Sequence, residues 1–155
     1  MEKSFNICIV YDTKRGSTTH LANWVKEGFK ESKTDLFVDV KRVHEVKKFD
    51  YDLFIVGSPI YWEKPLKTVV EFLLNNQDKL REKKVALFIV CMAQLFGKHT
   101  QKYIQRRYLK PLEEKTSGYI VKTGVFKGWL KKPDYNEKER VINWVKEIIF
   151  SLETN

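Results

Sequence analysis

Apolar runs and helical repeats alternate along this chain, and that alternation leaves few folds open to it. Five short runs are strand-like: Phe5–Tyr11, Leu36–Lys41, Tyr51–Gly57, Val85–Cys91 and Tyr119–Val125. Each is too short for a buried helix and rich in β-branched and aromatic residues. Helical patterns fill the gaps. Leu21, Val25 and Phe29 recur at i, i+4 and i+8 in a stretch from about Ser17 to Lys33. A second helix begins near Pro65, a residue suited to a first turn, and carries Val69, Val70, Leu73 and Leu74. A third covers roughly Thr100 to Lys115, with Ile104, Tyr108 and Leu112 on one face. The last follows Pro133 and Asp134 and carries Val141, Val145, Ile148, Ile149 and Leu152. Val43–Asp50 is poorly patterned and has room for a turn of helix. Strands alternating with helices predict an α/β protein: a doubly wound, five-stranded parallel sheet with helices on both faces. Right-handed crossovers then favour the strand order 2-1-3-4-5, with a ligand site at the carboxyl ends of strands one and three. With 155 residues and no linker, repeat or low-complexity tract, the chain reads as a single domain, 1–155.

The first strand stops at a short polar loop, Asp12 to Thr18, that runs straight into the first helix. A helix N-terminus offers unpaired N–H groups and the positive end of a dipole, which together attract anions. Thr13, Ser17 and Thr18 add hydroxyl donors, and Gly16 allows close approach of the backbone. The loop has neither the Gly-x-x-x-x-Gly-Lys-Ser/Thr of a triphosphate site nor the Gly-x-Gly-x-x-Gly of a dinucleotide site. A single phosphate monoester fits it better than a pyrophosphate. The same residues would also serve an ordinary strand-to-helix turn capped by Ser17 or Thr18.

In this topology the loops after strands one, three, four and five share one edge. After strand three come Ser58, Pro59, Ile60, Tyr61 and Trp62; after strand four, Met92, Ala93, Gln94, Leu95, Phe96 and Gly97; after strand five, Phe126 and Trp129. Aromatic side chains at loop tips are poorly explained by packing, because loops lie in water. Gathered around a phosphate site, they suggest a flat, conjugated ligand. Phe126 and Trp129 read equally well as core tucked under the last helix.

Two of these segments carry a family resemblance. The loop Thr13-Lys14-Arg15-Gly16-Ser17-Thr18 resembles the Ser/Thr-x-Thr-Gly-x-Thr phosphate loop of flavodoxins, with Arg15 where flavodoxins usually have Thr. Together with Gly57-Ser58-Pro59-Ile60-Tyr61-Trp62, it also looks like the menaquinone-dependent protoporphyrinogen oxidase branch of flavodoxin-like proteins. The resemblance spans nearly the whole chain. It implies a flavodoxin-like fold and FMN as cofactor. Thr13 to Thr18 would hold the FMN phosphate, and Ser58 to Trp62 and Met92 to Gly97 would flank the isoalloxazine ring. It implies an electron-transfer protein, or alternatively an FMN-dependent quinone or protoporphyrinogen oxidoreductase. No Ser–His–Asp or Cys–His set is visible, so no catalytic side chain is named.

Charge bears on the partner. Lys and Arg number 29 against 20 Asp and Glu, a net charge of +9, whereas flavodoxins are typically acidic. Lys98, Lys102, Arg106 and Lys110 recur every four residues along the third helix, a basic stripe or simply a solvated face. An acidic redox partner suits such a chain, as would an anionic membrane surface for a quinone acceptor. A nucleic-acid-binding module rests on charge alone, with no supporting motif. A signalling receiver would need an acidic pair after strand one and an Asp ending strand three; Asp12 stands alone and strand three ends Val56-Gly57-Ser58. Cys8 and Cys91 lie in apolar runs and read as buried thiols in a reducing compartment, and a strand almost at the N-terminus leaves no room for a signal peptide. The expected location is cytoplasmic.

Overall fold

The computed structural model describes residues 5–32, 35–91, 98–129 and 131–154. The strands are β1 (Asn6–Tyr11), β2 (Phe37–Arg42), β3 (Leu53–Tyr61), β4 (Lys64–Pro65), β5 (Lys84–Cys91) and β6 (Tyr119–Lys127). The helices are α1 (Ser17–Ser32), α2 (Lys67–Asn75), α3 (Gln77–Leu80), α4 (Lys98–Ile104), α5 (Lys110–Lys115) and α6 (Tyr135–Glu153). A 3-10 turn occupies Val43–Glu45, and a π-helical segment, Gln105–Leu109, joins α4 to α5.

The long strands lie in the order β2-β1-β3-β5-β6, all parallel. This is the expected order, with one correction to the strand count. The short β4 folds back antiparallel onto the end of β3, pairing Ile60 with Pro65 and Tyr61 with Lys64, so the sheet has six strands. Pro65 therefore ends a strand and does not start a helix, and α2 begins at Lys67.

Alternation along each strand divides the core in two, since successive side chains point to opposite faces. Ile7, Ile9, Leu53, Ile55, Phe88 and Val90 face α1 and α6. Cys8, Val10, Phe54, Val56, Leu87 and Ile89 face α2 and the composite helix 98–115. Helices cover both faces, which is why the central strands are continuous apolar runs. Cys8 and Cys91 are buried and free, and burial pushes both thiols up to about 12, so they stay protonated. Among the described residues no helix is long and apolar enough to cross a membrane.

Candidate functional site

The parallel sheet sets Tyr11, the last residue of β1, level with Gly57, and β3 runs on from there to Tyr61. The loops that follow these two strands are the ones singled out by the sequence.

Beyond β1 the chain turns through Asp12–Gly16 into α1. Gly16 has φ +97 and open space where a Cβ would be, so the turn needs a residue without a Cβ penalty and the backbone can be approached closely. Thr13 Oγ1 accepts from the Gly16 N–H at 2.9 Å, which leaves its own O–H to donate elsewhere. Ser17 and Thr18 open the helix and are buried. Thr18 Oγ1 is buried with no hydrogen-bond partner. A buried hydroxyl left unpaired costs about 1–3 kcal/mol and requires an explanation. Here it sits in the first turn of a sixteen-residue helix, where backbone N–H groups also lack partners. An oxyanion at this place would satisfy both.

Asp12 braces the loop from below. One carboxylate oxygen accepts from the Thr13 N–H at 2.9 Å and from Arg42 Nε at 3.1 Å, with a second, shorter contact to Arg42 Nη2. The other accepts from the Thr68 hydroxyl at 2.6 Å. The carboxylate thus ties β1, β2 and α2 together under the loop. Burial pushes its pKa up, but the hydrogen bonds from Thr68, Arg42 and Thr13 outweigh burial and hold it below 3.8. Its stabilising contribution is therefore complete above pH 3.8 and is lost as pH falls through the lower folded value. Asp12→Asn is expected to destabilise the protein at neutral pH, with the gap to wild type closing in acid. Denaturant midpoints measured from pH 7 to pH 2 check this; a gap independent of pH would contradict it.

Beyond β3 the chain turns at Trp62 and Glu63, both with positive φ, 51 and 62. Such a two-residue hairpin normally uses Asn or Gly, because other residues pay about 1–2 kcal/mol each in the left-handed region. Trp62 is 83% exposed at the tip and Tyr61 is 36% exposed beside it, with ring centroids 6.0 Å apart. Lys14 Nζ lies 5.7 Å and Arg15 Cζ 5.9 Å from the Tyr61 ring centre, so the two loops meet there. Ser58, Pro59 and Ile60 belong to the extended β3 strand. The Ser58 hydroxyl is buried, accepting from the Leu66 N–H at 2.9 Å and donating to the Pro59 carbonyl, so it serves the hairpin itself. Met92, Ala93, Gln94, Leu95, Phe96 and Gly97 lie outside the described residues.

Sequence reasoning passed over Glu63. Its carboxylate accepts from the hydroxyls of Tyr108 at 2.6 Å and Tyr103 at 2.7 Å. Those hydrogen bonds, Tyr108 first, hold its pKa below the usual value. The two aromatic residues expected in the loop after the last strand are accounted for by packing, and Phe126 lies within β6 itself, which runs to Lys127. Phe126 is 3% exposed against Phe88 and Trp144, and Trp129 packs on Trp24 and His20 of α1. Lys102, Arg106 and Lys110 are exposed, but the π-helical segment breaks the four-residue phase assumed for the stripe. The side chain of Lys98 lies outside the described residues.

A model of the flavodoxin domain family matches residues 8–148. No curated protein matches the chain. Among solved structures, an oxidoreductase from Corynebacterium diphtheriae aligns with a TM-score of 0.70 at 14% identity, covering 98% of each chain. Oxidised Flavodoxin 1 from Bacillus cereus aligns at 0.66 and 14% identity, covering 94% of this chain and 97% of its own. Two-electron reduced flavodoxin from Megasphaera elsdenii aligns at 0.61 and 23% identity, covering 90% of this chain and 98% of its own. At these identities the structural matches speak to fold.

Proposed function

The chain belongs to the flavodoxin family, a family of FMN-binding electron-transfer proteins, and from that premise we propose that Thr13 to Thr18 hold the FMN phosphate and that Tyr61 and Trp62 face its ring. The observation that carries this is Thr18 Oγ1, buried and unpaired at the mouth of α1 beneath an open Gly16. A phosphate there accepts from that hydroxyl, from the free O–H of Thr13 and from the first N–H groups of the helix. Lys14 and Arg15, both exposed beside Tyr61, add positive charge on the solvent side. Bound FMN supplies reversible one- and two-electron chemistry, and the protein's part is to hold and tune it.

Trp62 is the most exposed large apolar side chain described, and a strained turn holds it at the tip of β3. Water is an unfavourable setting for an indole, so a flat ring laid against it removes apolar surface from solvent. Trp62→Ala and Tyr61→Ala are each expected to reduce quenching of FMN fluorescence and to weaken binding by about 0.5–1.5 kcal/mol beyond lost area. Fluorescence titrations of both variants check this. Unchanged quenching and affinity in both would make the two residues packing groups only.

Flavodoxins pass electrons to redox partners. The exposed cations Lys102, Arg106, Arg107 and Lys110, set on a chain of net charge +9, support an acidic partner surface. Such attraction acts over about 10 Å at 0.1 M ionic strength and weakens as salt is added.

A further inference from the structure

The π-helical segment between α4 and α5 has an identifiable job. Residues five apart in an α-helix point about 140° away from each other. A π turn closes its hydrogen bond after five residues, as the Lys110 N–H does on the Gln105 carbonyl, and so brings residues five apart towards one side. Tyr103 and Tyr108 are five apart. Their rings pack edge to face with centroids 5.6 Å apart, and both hydroxyls donate to the same Glu63 Oε2, at 2.7 and 2.6 Å. Without the extra residue in this turn, the two phenols would diverge.

We propose that this tyrosine pair clamps Glu63, and through it the Trp62–Glu63 turn, as positioning residues for the flavin-facing indole. The ring-contact half of the inference rests on the FMN assignment above. Among the described residues, Glu63 is the second of two non-glycine residues with positive φ. Only two residue pairs hold β4 to β3, and a hairpin that short is marginal by itself. The hydrogen-bonded carboxylate is a third attachment, from across the sheet edge and 40 and 45 residues further along the chain. Arg107, in the same π segment, lines a cavity with Glu63 and adds a positive charge near the carboxylate. Tyr108 is 2% exposed while Tyr103 is 47% exposed, so one phenol is fixed by the core and the other closes over the carboxylate from the solvent side.

The test uses Tyr103→Phe/Tyr108→Phe, which keeps both rings and removes both hydroxyls. Carbon-detected NMR of the cofactor-free protein should show the Glu63 carboxyl titrating at higher pH in that variant than in wild type, because both hydrogen-bond donors are gone while Arg107 remains. Amide exchange at Trp62 and Glu63 should speed up. FMN affinity should fall by about two- to tenfold, within what the stacking of Trp62 contributes, because the phenols act on the flavin through that indole. Glu63→Ala should lose a similar factor, and adding both Tyr→Phe changes to it should lose nothing further, because the phenols act through the carboxylate. Glu63→Gln, whose amide oxygen still accepts both hydroxyls, should recover most of the affinity. A Glu63 titration and amide exchange indifferent to the two phenols would overturn the clamp. So would independent, additive losses in FMN affinity. Wild-type protein that fails to bind FMN would instead overturn the cofactor assignment, which the NMR arm does not depend on.

Discussion

Replacing Thr18 with Val is expected to move two quantities in opposite directions. Val keeps the shape of Thr and removes the one hydroxyl that, among the described residues, is buried without a partner. In cofactor-free protein that exchange removes an unsatisfied polar group, so stability should rise by about 1 kcal/mol. In the proposed complex the same hydroxyl would donate to phosphate. Its loss should weaken FMN by about 1.5–3 kcal/mol, roughly a 10- to 150-fold change in dissociation constant. Riboflavin lacks the phosphate, so its affinity should be unchanged. Denaturant unfolding of the cofactor-free variant and paired titrations with FMN and riboflavin check all three quantities. A variant that is less stable and binds both ligands equally poorly would show that Thr18 Oγ1 serves the fold, and the phosphate assignment would fall.

Gly57→Ala is expected to produce the largest loss of stability. A Cβ built on Gly57 would lie 2.0 Å from Phe88 Cζ and 2.4 Å from Cε1 and Cε2, well inside van der Waals contact. Phe88 is fully buried and cannot swing away, because Phe126 and Trp144 pack edge-on against it at 6.2 and 6.0 Å. Overpacking of a close-packed core costs about 1–3 kcal/mol and occasionally more, and a contact this short belongs at the upper end. The damage would also reach the candidate site, since Gly57 is level with Tyr11, the last residue of β1 before the Asp12–Gly16 turn. Chemical denaturation measures it. Shortening the obstructing ring, Gly57→Ala with Phe88→Leu, should recover part of the loss relative to Phe88→Leu alone. An unchanged midpoint for Gly57→Ala would mean that the Phe88 ring yields freely.

The sheet was legible because burial on both faces writes the central strands β1, β3 and β5 as apolar runs, and the intervening helices repeat their apolar residues every three to four positions. The turn into α1 was legible for a similar reason: the residues that shape it, Thr13, Gly16, Ser17 and Thr18, lie within six positions. What escaped was non-local or against propensity. The β3–β4 hairpin has Trp62 and Glu63 where Asn or Gly would have announced a tight turn, so Ile60–Pro65 looked like an open loop. The π-helical segment hid because Ile104, Tyr108 and Leu112 fit an α-helix. Asp12 seemed solitary because its partners Arg42 and Thr68 stand 30 and 56 residues away, and Glu63 was passed over because Tyr103 and Tyr108 stand 40 and 45 residues away. Sheet topology brings these pairs together, and no local pattern records it.

The central claim is that the mouth of α1 binds the phosphate of FMN, and ligand titration of the cofactor-free wild-type protein tests it most directly. FMN and riboflavin share the ring that Tyr61 and Trp62 would face and differ in the phosphate that Thr13 to Thr18 would hold. FMN is predicted to bind more tightly than riboflavin by about a hundredfold or more, as two or more charge-assisted hydrogen bonds require, with fluorescence quenched on binding. Equal affinity for the two ligands, or no binding of FMN, would contradict it.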